Sequence, residues 1–355
     1  MAMHILVINP GSTSTKIALY NGNKPLFEKE ISHSAAKLSQ YENIVSQQKF
    51  REKLILQALA EFGYDLKNLT CIVARGGALK PLPGGTYLVN NRMLRDLKSA
   101  AYGEHASNLG AILADHIARK INVEAYIVDP ITVSEMDEVA TVSGIPELKR
   151  ESIFHALNQK AIARMAAQSM GKRYRNSRLI VVHMGGGISV GVHKSGRVVD
   201  VNNALNGDGP LSPTRSGSVP EWSLVKLVLS GKFDESEFKK RIMTNGGMSA
   251  YLGTSDLREV EKRFKEGDKE AALIFQAMIY QIAKEVGACS TVLNGKIDAI
   301  VLTGGMARDK MLVNLLKKRI SFIGKILVYP GSMEMRALAL GALRVCRYNE
   351  DAKTY

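Results

Sequence analysis

The sequence predicts an α/β fold built from two duplicated domains, each with a mixed sheet. A length of 355 residues exceeds the usual size of one domain. A pattern of strand, turn, strand and hairpin occurs twice, and alternating helices and strands follow each copy. The composition is 45% hydrophobic and 23% charged, which is ordinary for a globular protein, so disorder is not expected.

The two copies of the repeat lie 174 residues apart. The first is INPGSTSTKIALYNGNKPLFEKEI and the second is VHMGGGISVGVHKSGRVVDVNNAL, so Asn9 falls on His183 and Gly11 on Gly185. In both, an apolar strand enters a glycine-bearing turn, a second strand leaves it, and an Asn-Gly or Ser-Gly hairpin leads to a third. Identity between the copies is low, so the matched order of elements is what indicates a duplication.

Helices and strands alternate after each copy. In the first half, QQKFREKLILQALAEF has helical spacing, LTCIVARGG follows as a strand, GEHASNLGAILADHIARKI as a helix, and VEAYIVD as a strand that Pro130 ends. In the second half, residues 268–293 predict a long helix, IDAIVLTGG a strand, KMLVNLLKKRI a helix and GKILVYP a strand. The last segment, MEMRALALGALRVCRY, predicts a helix that returns to the first domain. We therefore expect a first domain of residues 1–148 plus 335–355 and a second of 149–334.

Charge, apolar runs and cysteines narrow the class of protein. The net charge is +14, but Lys and Arg are spread along the chain, which favours an anionic small substrate over nucleic acid. The longest apolar runs are too short to span a membrane, and the N-terminus does not have the pattern of a secretion signal. Cys71, Cys289 and Cys346 form no CxxC pair and are too few for a disulfide framework, so we expect buried thiols in a reducing cytoplasm.

The glycine-bearing turns predict phosphate binding without a Walker A sequence or a dinucleotide fingerprint. No Gly-Lys pair is followed by Ser or Thr, and Val190 occupies the place of the last glycine in G-x-G-x-x-G. Hairpin turns with convergent backbone N–H groups can still hold phosphate, and two facing turns would form a clamp across a cleft. A tight hairpin with exposed polar residues is the alternative for either turn taken alone. The predicted nucleotide-binding residues are Asn9, Gly11, Ser12, Ser14 and Lys16 in the first turn, and Gly185, Gly186 and Gly187 in the second.

A third glycine turn, LTGGMARDK, follows a buried strand and precedes a helix. It suits an adenosine packed against the backbone at Gly304, Gly305 and Met306, although any strand–helix unit can contain such a turn. The three turns in this order resemble the superfamily that includes actin, sugar kinases and acetate kinase. Over the whole chain, the sequence resembles the butyrate kinases of the acetate kinase family in the ordered motifs VINPGSTSTKIALY, ARGG…LPGGTY, VDPITVSEM, FHALNQKAIAR, VVHMGGGISVGVH, LSPTRSG, LTGGMA and YPGSMEMRALALGALRV.

This resemblance implies two actin-like, ribonuclease H-like domains that flank an ATP cleft. It also implies reversible, Mg²⁺-dependent transfer of a phosphoryl group from ATP to a short-chain carboxylate, in line, in a cytoplasmic homo-oligomer of at least two copies. Butyrate and branched-chain acids cannot be separated by sequence, because one methylene changes affinity by only about 1–3 kcal/mol. The alternatives are an acetate or propionate kinase, or a non-metabolic actin-like ATPase, which would activate water and need no carboxylate-binding arginines.

A carboxylate acceptor is already an anion, so the chemistry needs positive charge and no general base. Arg75 ends the strand before a glycine turn, and Arg215 lies in the SPTRSG loop, where planar guanidinium groups can bind oxygen anions in a bidentate way. The resemblance assigns these two residues the carboxylate and the equatorial phosphoryl oxygens. It implies that His183 donates a hydrogen bond to the phosphoryl group in flight.

Magnesium-associated positions follow from the same resemblance. Asp129 ends VEAYIVD just before Pro130 and matches a catalytic aspartate that organises Mg²⁺-bound water, with a plain Asp-Pro turn as the alternative. Asn9 and Glu334 match metal-associated residues, and Mg²⁺ suits such sparse carboxylate and water shells. Glu334 could instead cap its helix. His105 matches a family histidine near the substrate pocket, and whether it is required stays open.

Overall fold

The computed structural model describes residues 3–355 and contains two compact units. One unit is Met1–Val133 together with Met333–Tyr355, and the other is Ser134–Ser332. Residues 134–148, which the sequence analysis assigned to the first domain, are therefore part of the second unit. Glu135 accepts a hydrogen bond from Lys160 Nζ at 2.6 Å, and Asp137 donates its backbone N–H to Val199 at 2.9 Å. These contacts bind the segment to the second unit.

Each unit contains one mixed sheet. The strands of the first are β1 (His4–Pro10), β2 (Ser14–Asn21), β3 (Lys24–Ser32), β4 (Cys71–Arg75), β5 (Thr86–Leu88) and β6 (Glu124–Val128), in the order β3-β2-β1-β4-β6-β5. The strands of the second are β7 (Arg178–Met184), β8 (Ile188–Lys194), β9 (Arg197–Val201), β10 (Ala299–Gly304) and β11 (Ile326–Pro330), in the order β9-β8-β7-β10-β11.

The two sheets share one topology. In each sheet, three consecutive strands form an antiparallel meander. The first strand of the meander also pairs in parallel with a later strand, β1 with β4 and β7 with β10. β1 begins at His4 and β7 at Arg178, which reproduces the 174-residue shift seen in the sequence. The predicted α/β fold with a duplicated mixed sheet is confirmed.

Helices separate and follow the strands along the chain. They are α1 (Ala35–Leu38), α2 (Gln48–Glu61), α3 (Asn91–Lys98), α4 (Asn108–Ile121), α5 (Glu138–Thr141), α6 (Ala156–Ser169), α7 (Glu221–Leu229), α8 (Glu235–Met243), α9 (Gly247–Leu252), α10 (Leu257–Lys265), α11 (Lys269–Val292), α12 (Lys310–Ile320) and α13 (Glu334–Cys346). Along residues 3–355, no helix combines the length and the apolar character that crossing a bilayer requires.

Local signals fix most of these boundaries. The predicted helix KMLVNLLKKRI coincides with α12, whose N-cap Asp309 accepts a hydrogen bond from the backbone of Leu312 at 3.0 Å. Asp268 caps α11 in the same way through the backbone of Ala271. α4 begins at Asn108, several residues later than the predicted helical stretch, because residues 103–105 are irregular and residues 106–107 form a turn. β5, α3 and the helices α7–α10 are elements that the sequence analysis did not identify.

The core of each unit lies on both faces of its sheet. In the first, Leu6, Ile8 and Ile72 pack against α2 and α4, and α13 packs on β1, β4 and β6. In the second, α11 and α12 pack with Ile180 and Leu302, and α6 packs on β7 and β10. Strands buried on both faces require continuous apolar runs, as in LVI of β1 and LIVV of β7. Burying each such side chain stabilises the fold by about 1.5–3 kcal/mol.

Candidate active site

The first phosphate turn is the short link between β1 and β2. The strands extend to Pro10 and from Ser14, so the turn itself is residues 11–13, closed by a hydrogen bond from the Gly11 N–H to the Ser14 carbonyl at 2.8 Å. Of the residues predicted to bind nucleotide, Gly11 and Ser12 lie in or beside this turn and are accessible. Two more of them, Ser14 and Lys16, are directed to β3: Ser14 Oγ donates to Glu30 Oε1 at 2.9 Å, and Lys16 Nζ lies 3.3 Å from Glu30 Oε2.

A buried arginine on α2 holds this turn from the core side. Arg51 is 1% exposed, and its guanidinium donates to the carbonyl oxygens of Gly11 at 2.8 Å, Ser14 at 3.0 Å and Ser12 at 3.1 Å. Three carbonyl groups of the turn therefore point into the protein. Sequence reasoning missed Arg51, because nothing along the chain shows that this position of α2 packs beneath a turn 40 residues earlier.

A buried histidine completes the support of the turn. Thr15 Oγ1 accepts from Arg51 Nη1 at 3.1 Å and lies 2.9 Å from His33 Nε2, so its hydroxyl proton can be donated to the imidazole. Among the described residues, His33 Nδ1 has no hydrogen-bond partner. Burial, together with the charge of Arg51, lowers the pKa of His33 to about 4. The imidazole is therefore neutral near pH 7.

Three of the predicted site residues meet at one edge of the first sheet. Asn9 lies near the carboxyl end of β1, Arg75 ends the parallel neighbour β4, and Glu334 begins α13. Asn9 Nδ2 donates to Glu334 Oε2 at 2.8 Å, and Arg75 Nη1 lies 3.5 Å from the same oxygen. Carboxyl ends of parallel strands share an edge of the sheet, and this edge of α/β sheets is where ligands bind.

Asp129 lies at the same edge, directly after β6. It is 4% exposed and has φ +38°, a left-handed conformation that costs a non-glycine residue about 1 kcal/mol. Its backbone N–H donates to the Gly85 carbonyl at 3.0 Å, and its Oδ1 accepts from the Gly85 N–H at 2.7 Å. Gly85 thus holds both the backbone and the carboxylate, and it fixes the direction of the side chain.

The oxygen donors at this edge suit Mg²⁺ better than they suit a metal ion whose ligands all come from the protein. Within residues 3–355 there is no group of three or more His, Cys, Asp or Glu side chains that could hold a metal ion. Mg²⁺ usually keeps several waters and binds one or two carboxylates plus substrate phosphates. Asn9, Asp129 and Glu334 supply oxygen donors of that kind. Binding would require phosphate or water as the remaining ligands.

His105 lies in the turn before α4, close to Arg75. Its Nδ1 accepts from the backbone N–H of Ser107 at 3.1 Å, which leaves the ring proton of the neutral form on Nε2. Partial burial and the charge of Arg75 lower the pKa of His105. The neutral ring therefore carries a donor beside the guanidinium.

The second phosphate turn is Gly185–Gly187, between β7 and β8. The Gly185 N–H donates to the Gly187 carbonyl at 3.1 Å, and the Gly186 carbonyl accepts from Ser212 Oγ at 2.6 Å and from Thr214 Oγ1 at 2.9 Å. The SPTRSG loop thereby holds this turn.

The same loop brings Arg215 to the second turn. A Cβ built on Gly187 would overlap its guanidinium, so only glycine permits this approach. Arg215 Nη1 donates to the Ala204 carbonyl. Burial lowers the pKa of Arg215, and its Nε is buried with no hydrogen-bond partner along residues 3–355.

His183 lies at the end of β7, and helix α6 supports its ring. Asn158 Nδ2 donates to His183 Nδ1 at 2.8 Å, so the neutral imidazole carries its proton on Nε2. The ring of His155 stacks on that of His183 with centroids 3.8 Å apart and an interplanar angle of 8°. His155 in turn lies 2.9 Å from Ser189 Oγ. The FHALNQKAIAR motif contains both supporting residues, but sequence reasoning gave neither of them a role.

The third turn opens on a cavity large enough for a nucleoside. Gly304 has φ +92°, and a Cβ there would overlap the Met184 carbonyl, so glycine is required where β10 closes on the end of β7. Gly305–Arg308 then form a single 3₁₀ turn. A cavity of about 480 Å³ lies against this turn, lined by Gly305, Met306 and Arg308 and by Leu257 of α10. Small-molecule pockets begin at about 300 Å³.

Comparisons with known proteins identify the family of this chain. Residues 145–327 match the acetokinase family. Over 351 residues, the chain is 52% identical to butyrate kinase 1 of Clostridium acetobutylicum, and the match covers 99% of both chains.

Solved structures show the same fold at low identity. Acetate kinase of Porphyromonas gingivalis has a TM-score of 0.77 and 19% identity, with 98% of this chain and 100% of that one covered. A propionate kinase of Francisella tularensis has a TM-score of 0.76 and 19% identity, with 96% and 98% covered. The full-length identity to a butyrate kinase and the match over more than half of the sequence place the chain in the acetokinase family.

Proposed function

We propose that this chain catalyses the reversible, ATP-dependent phosphorylation of a short-chain carboxylate, butyrate or a branched-chain acid, to an acyl phosphate by direct in-line transfer. Membership of the acetokinase family and 52% identity to a butyrate kinase support a carboxylate as acceptor. One observation carries the proposal. Arg75 and Arg215 each have a buried Nε with no hydrogen-bond partner among the described residues. Buried donors of this kind need an acceptor, and a bound oxyanion would supply it.

The acceptor is an anion, so the protein's task is to neutralise and align charge. We assign to Arg75 and Arg215 together the binding of the carboxylate and of the equatorial phosphoryl oxygens. His183 would donate from Nε2, because Asn158 occupies its Nδ1. The flat stack against His155 would keep the ring in that orientation.

The metal-associated residues would act through magnesium bound to the nucleotide. Asn9, Asp129 and Glu334 would hold the ion directly or through water, and the ion would neutralise charge on the phosphate oxygens. Asp129 Oδ1 is engaged by Gly85, so a ligand would approach Oδ2. Glu334 would divide its charge between the metal shell and Arg75, which orients the guanidinium before substrate binds.

The glycine turns would bind the nucleotide. Backbone donors of residues 11–13 and 185–187 suit phosphate oxygens, and the cavity at Gly305 and Met306 suits adenosine. Lys16 is paired with Glu30, so a role in phosphate binding would require this exposed ion pair to open. Exposed pairs contribute only about 0–1 kcal/mol, so opening it costs little.

A substrate panel tests the proposal. Purified enzyme is mixed with ATP, Mg²⁺ and acetate, propionate, butyrate, isobutyrate or isovalerate, and acyl phosphate is trapped as the hydroxamate. We expect the largest kcat/KM for butyrate or a branched four- or five-carbon acid. Preference for acetate or propionate would reassign the substrate. ATP hydrolysis without added carboxylate, with no hydroxamate formed, would favour a non-metabolic actin-like ATPase instead.

We also propose that the enzyme is a cytoplasmic homo-oligomer. Helix α7 has the apolar sequence EWSLVKLVL, yet none of its residues is buried, and Trp222 is 66% and Leu229 78% exposed. A contiguous exposed apolar face of this kind is typical of a protein interface. Light scattering after size exclusion should give at least a dimer for the wild type and a smaller species for Leu229→Glu. A monomeric wild type would contradict the oligomer.

A further inference from the structure

Two cysteines that are far apart in the sequence lie in contact in the first unit. Cys71 begins β4 and Cys346 ends α13, 275 positions later, and their Sγ atoms are 3.5 Å apart. Cys71 is 1% exposed, whereas Cys346 is only half-buried. Cys289 is buried in the core of the second unit. The sequence spacing gave no sign of this pair.

We propose that Cys71 and Cys346 form a redox-sensitive dithiol, which a peroxide converts to an intrachain disulfide. The Cys346 thiol loses its proton, the thiolate attacks one oxygen of hydrogen peroxide, the O–O bond breaks, and the departing hydroxide takes up that proton to become water. The Cys71 sulfur then attacks the sulfur of the sulfenic acid, the S–S bond forms, the S–O bond breaks, and the departing hydroxide takes the Cys71 thiol proton and leaves as a second water. Two thiols are oxidised by two electrons and one peroxide is reduced.

The surroundings determine which sulfur reacts first. Hydrogen bonds from Cys71 and then from Tyr126 hold the pKa of the Cys346 thiol below its ordinary value, although burial opposes them. The hydrogen bond to Cys346 and burial raise the pKa of the Cys71 thiol. The Glu124 carboxylate lies near both sulfurs, and its charge raises the pKa of each thiol. Cys346 is thus both the more accessible sulfur and the better nucleophile, and Cys71 serves as the resolving thiol.

The pair joins the same two elements that meet in the candidate site. At the other end of β4, Arg75 Nη1 lies 3.5 Å from Glu334 Oε2 at the start of α13. α13 therefore runs antiparallel to β4, with an ion pair at one end and the thiols at the other. A disulfide has an S–S distance of about 2.0 Å, so the sulfurs need to approach by only ~1.5 Å. Oxidation should tie α13 to β4 with little displacement of Glu334.

Thiol counting by mass spectrometry tests the proposal. Reduced full-length enzyme is treated with one to two equivalents of hydrogen peroxide, blocked with N-ethylmaleimide in denaturant and digested without reductant. We expect three blocked cysteines before oxidation and one, Cys289, afterwards, with a linked peptide pair containing Cys71 and Cys346. The Tm of the oxidised enzyme should rise by several degrees and return after dithiothreitol.

Two variants distinguish a specific Cys71–Cys346 disulfide from unspecific oxidation of the cysteines. Cys346→Ser should remove the cross-linked peptides and the Tm shift, and Cys289→Ala should keep both. If Cys289→Ala does not fold, the peptide map of the wild type alone decides the pairing. Three blocked thiols after peroxide, a link to Cys289 or to a second copy, or sulfinic acid on Cys346 with Cys71 still blockable would each overturn the proposal.

Discussion

Replacing Arg51 with methionine tests whether the first phosphate turn is held from the core side by a buried guanidinium. The side chain makes six hydrogen bonds: to the carbonyls of Gly11, Ser12 and Ser14, to Thr15 Oγ1, and two to Gln47 Oε1. Methionine matches the apolar stem but leaves these acceptors without a donor. Each unsatisfied buried acceptor costs about 1–3 kcal/mol, partly relieved by rearrangement of the turn.

The expected loss in the free energy of unfolding is about 3–5 kcal/mol, because several buried acceptors lose their donor at once and rearrangement of the turn recovers only part of that cost. Arg51→Lys is the more informative variant, because it keeps the charge but cannot donate to three carbonyls in a fixed plane. We expect it to fold with a smaller loss. Its KM for ATP should rise roughly tenfold, about 1.4 kcal/mol, because the turn that binds phosphate is no longer held in place.

Urea unfolding and steady-state kinetics measure the two effects separately. The KM for the carboxylate should change much less than the KM for ATP, since the Arg51 guanidinium bonds to the first turn and to Gln47 but to no residue assigned to the carboxylate. Arg119→Met is the matched control, because Arg119 is 62% exposed and pairs with Asp115 on the surface of α4. An Arg51→Met enzyme within 1 kcal/mol of the wild type and with an unchanged KM for ATP would refute the reasoning.

Three further predictions concern the charged groups and one buried histidine. Arg75→Ala and Arg215→Ala should each lower kcat/KM at least roughly tenfold with circular dichroism unchanged, because each removes preorganised positive charge; near-normal rates would contradict the proposed roles. Gly187→Ala should lower the rate by displacing the Arg215 guanidinium. The double variant Gly187→Ala/Arg215→Ala should then be about as slow as Arg215→Ala alone. Losses of rate that add fully in the double variant would show that Gly187→Ala does not act through Arg215. The pKa of His33 is about 4 in the folded chain and near 6.5 in the unfolded chain, so between these pH values only the unfolded chain takes up a proton. The free energy of unfolding should therefore fall by up to about 3 kcal/mol as the pH drops from 6.5 to 4. In urea unfolding, His33→Gln should make this dependence on pH weaker.

Local patterns in the sequence predicted the sheets and the three turns. Apolar runs ended by glycine or proline place β1, β4, β6, β7 and β10, and parallel strands bring their carboxyl ends to one edge. The family resemblance assigns Asn9, Arg75 and Asp129 to the site, and this shared edge explains how residues so distant in the sequence come together. What local patterns could not predict is which helix packs beneath which turn. Arg51 under Gly11, His155 against His183, and Cys346 against Cys71 all depend on tertiary packing.

The duplication explains the position of the two phosphate turns but not how each is held. Both turns have carbonyl groups that need donors, and the chain supplies them differently after the third strand of each meander. In the first unit, α2 supplies Arg51, which is buried and donates hydrogen bonds to the carbonyls of the turn. In the second, a loop supplies Ser212 and Thr214 to the Gly186 carbonyl.

Small hydroxyl residues bond to the Gly186 carbonyl of the second turn, so that carbonyl does not need Arg215 as a donor. Arg215 bonds to the Ala204 carbonyl and retains a buried Nε without a partner in the described chain. Two copies of one strand pattern have therefore diverged in the segments that support them. In the proposed mechanism, the first copy provides a backbone turn for the nucleotide, and the second adds the Arg215 guanidinium for oxygen anions. Exchanging Thr214 for valine should separate these roles, raising the KM for ATP with kcat largely kept, because the turn loses one donor while Arg215 stays in place.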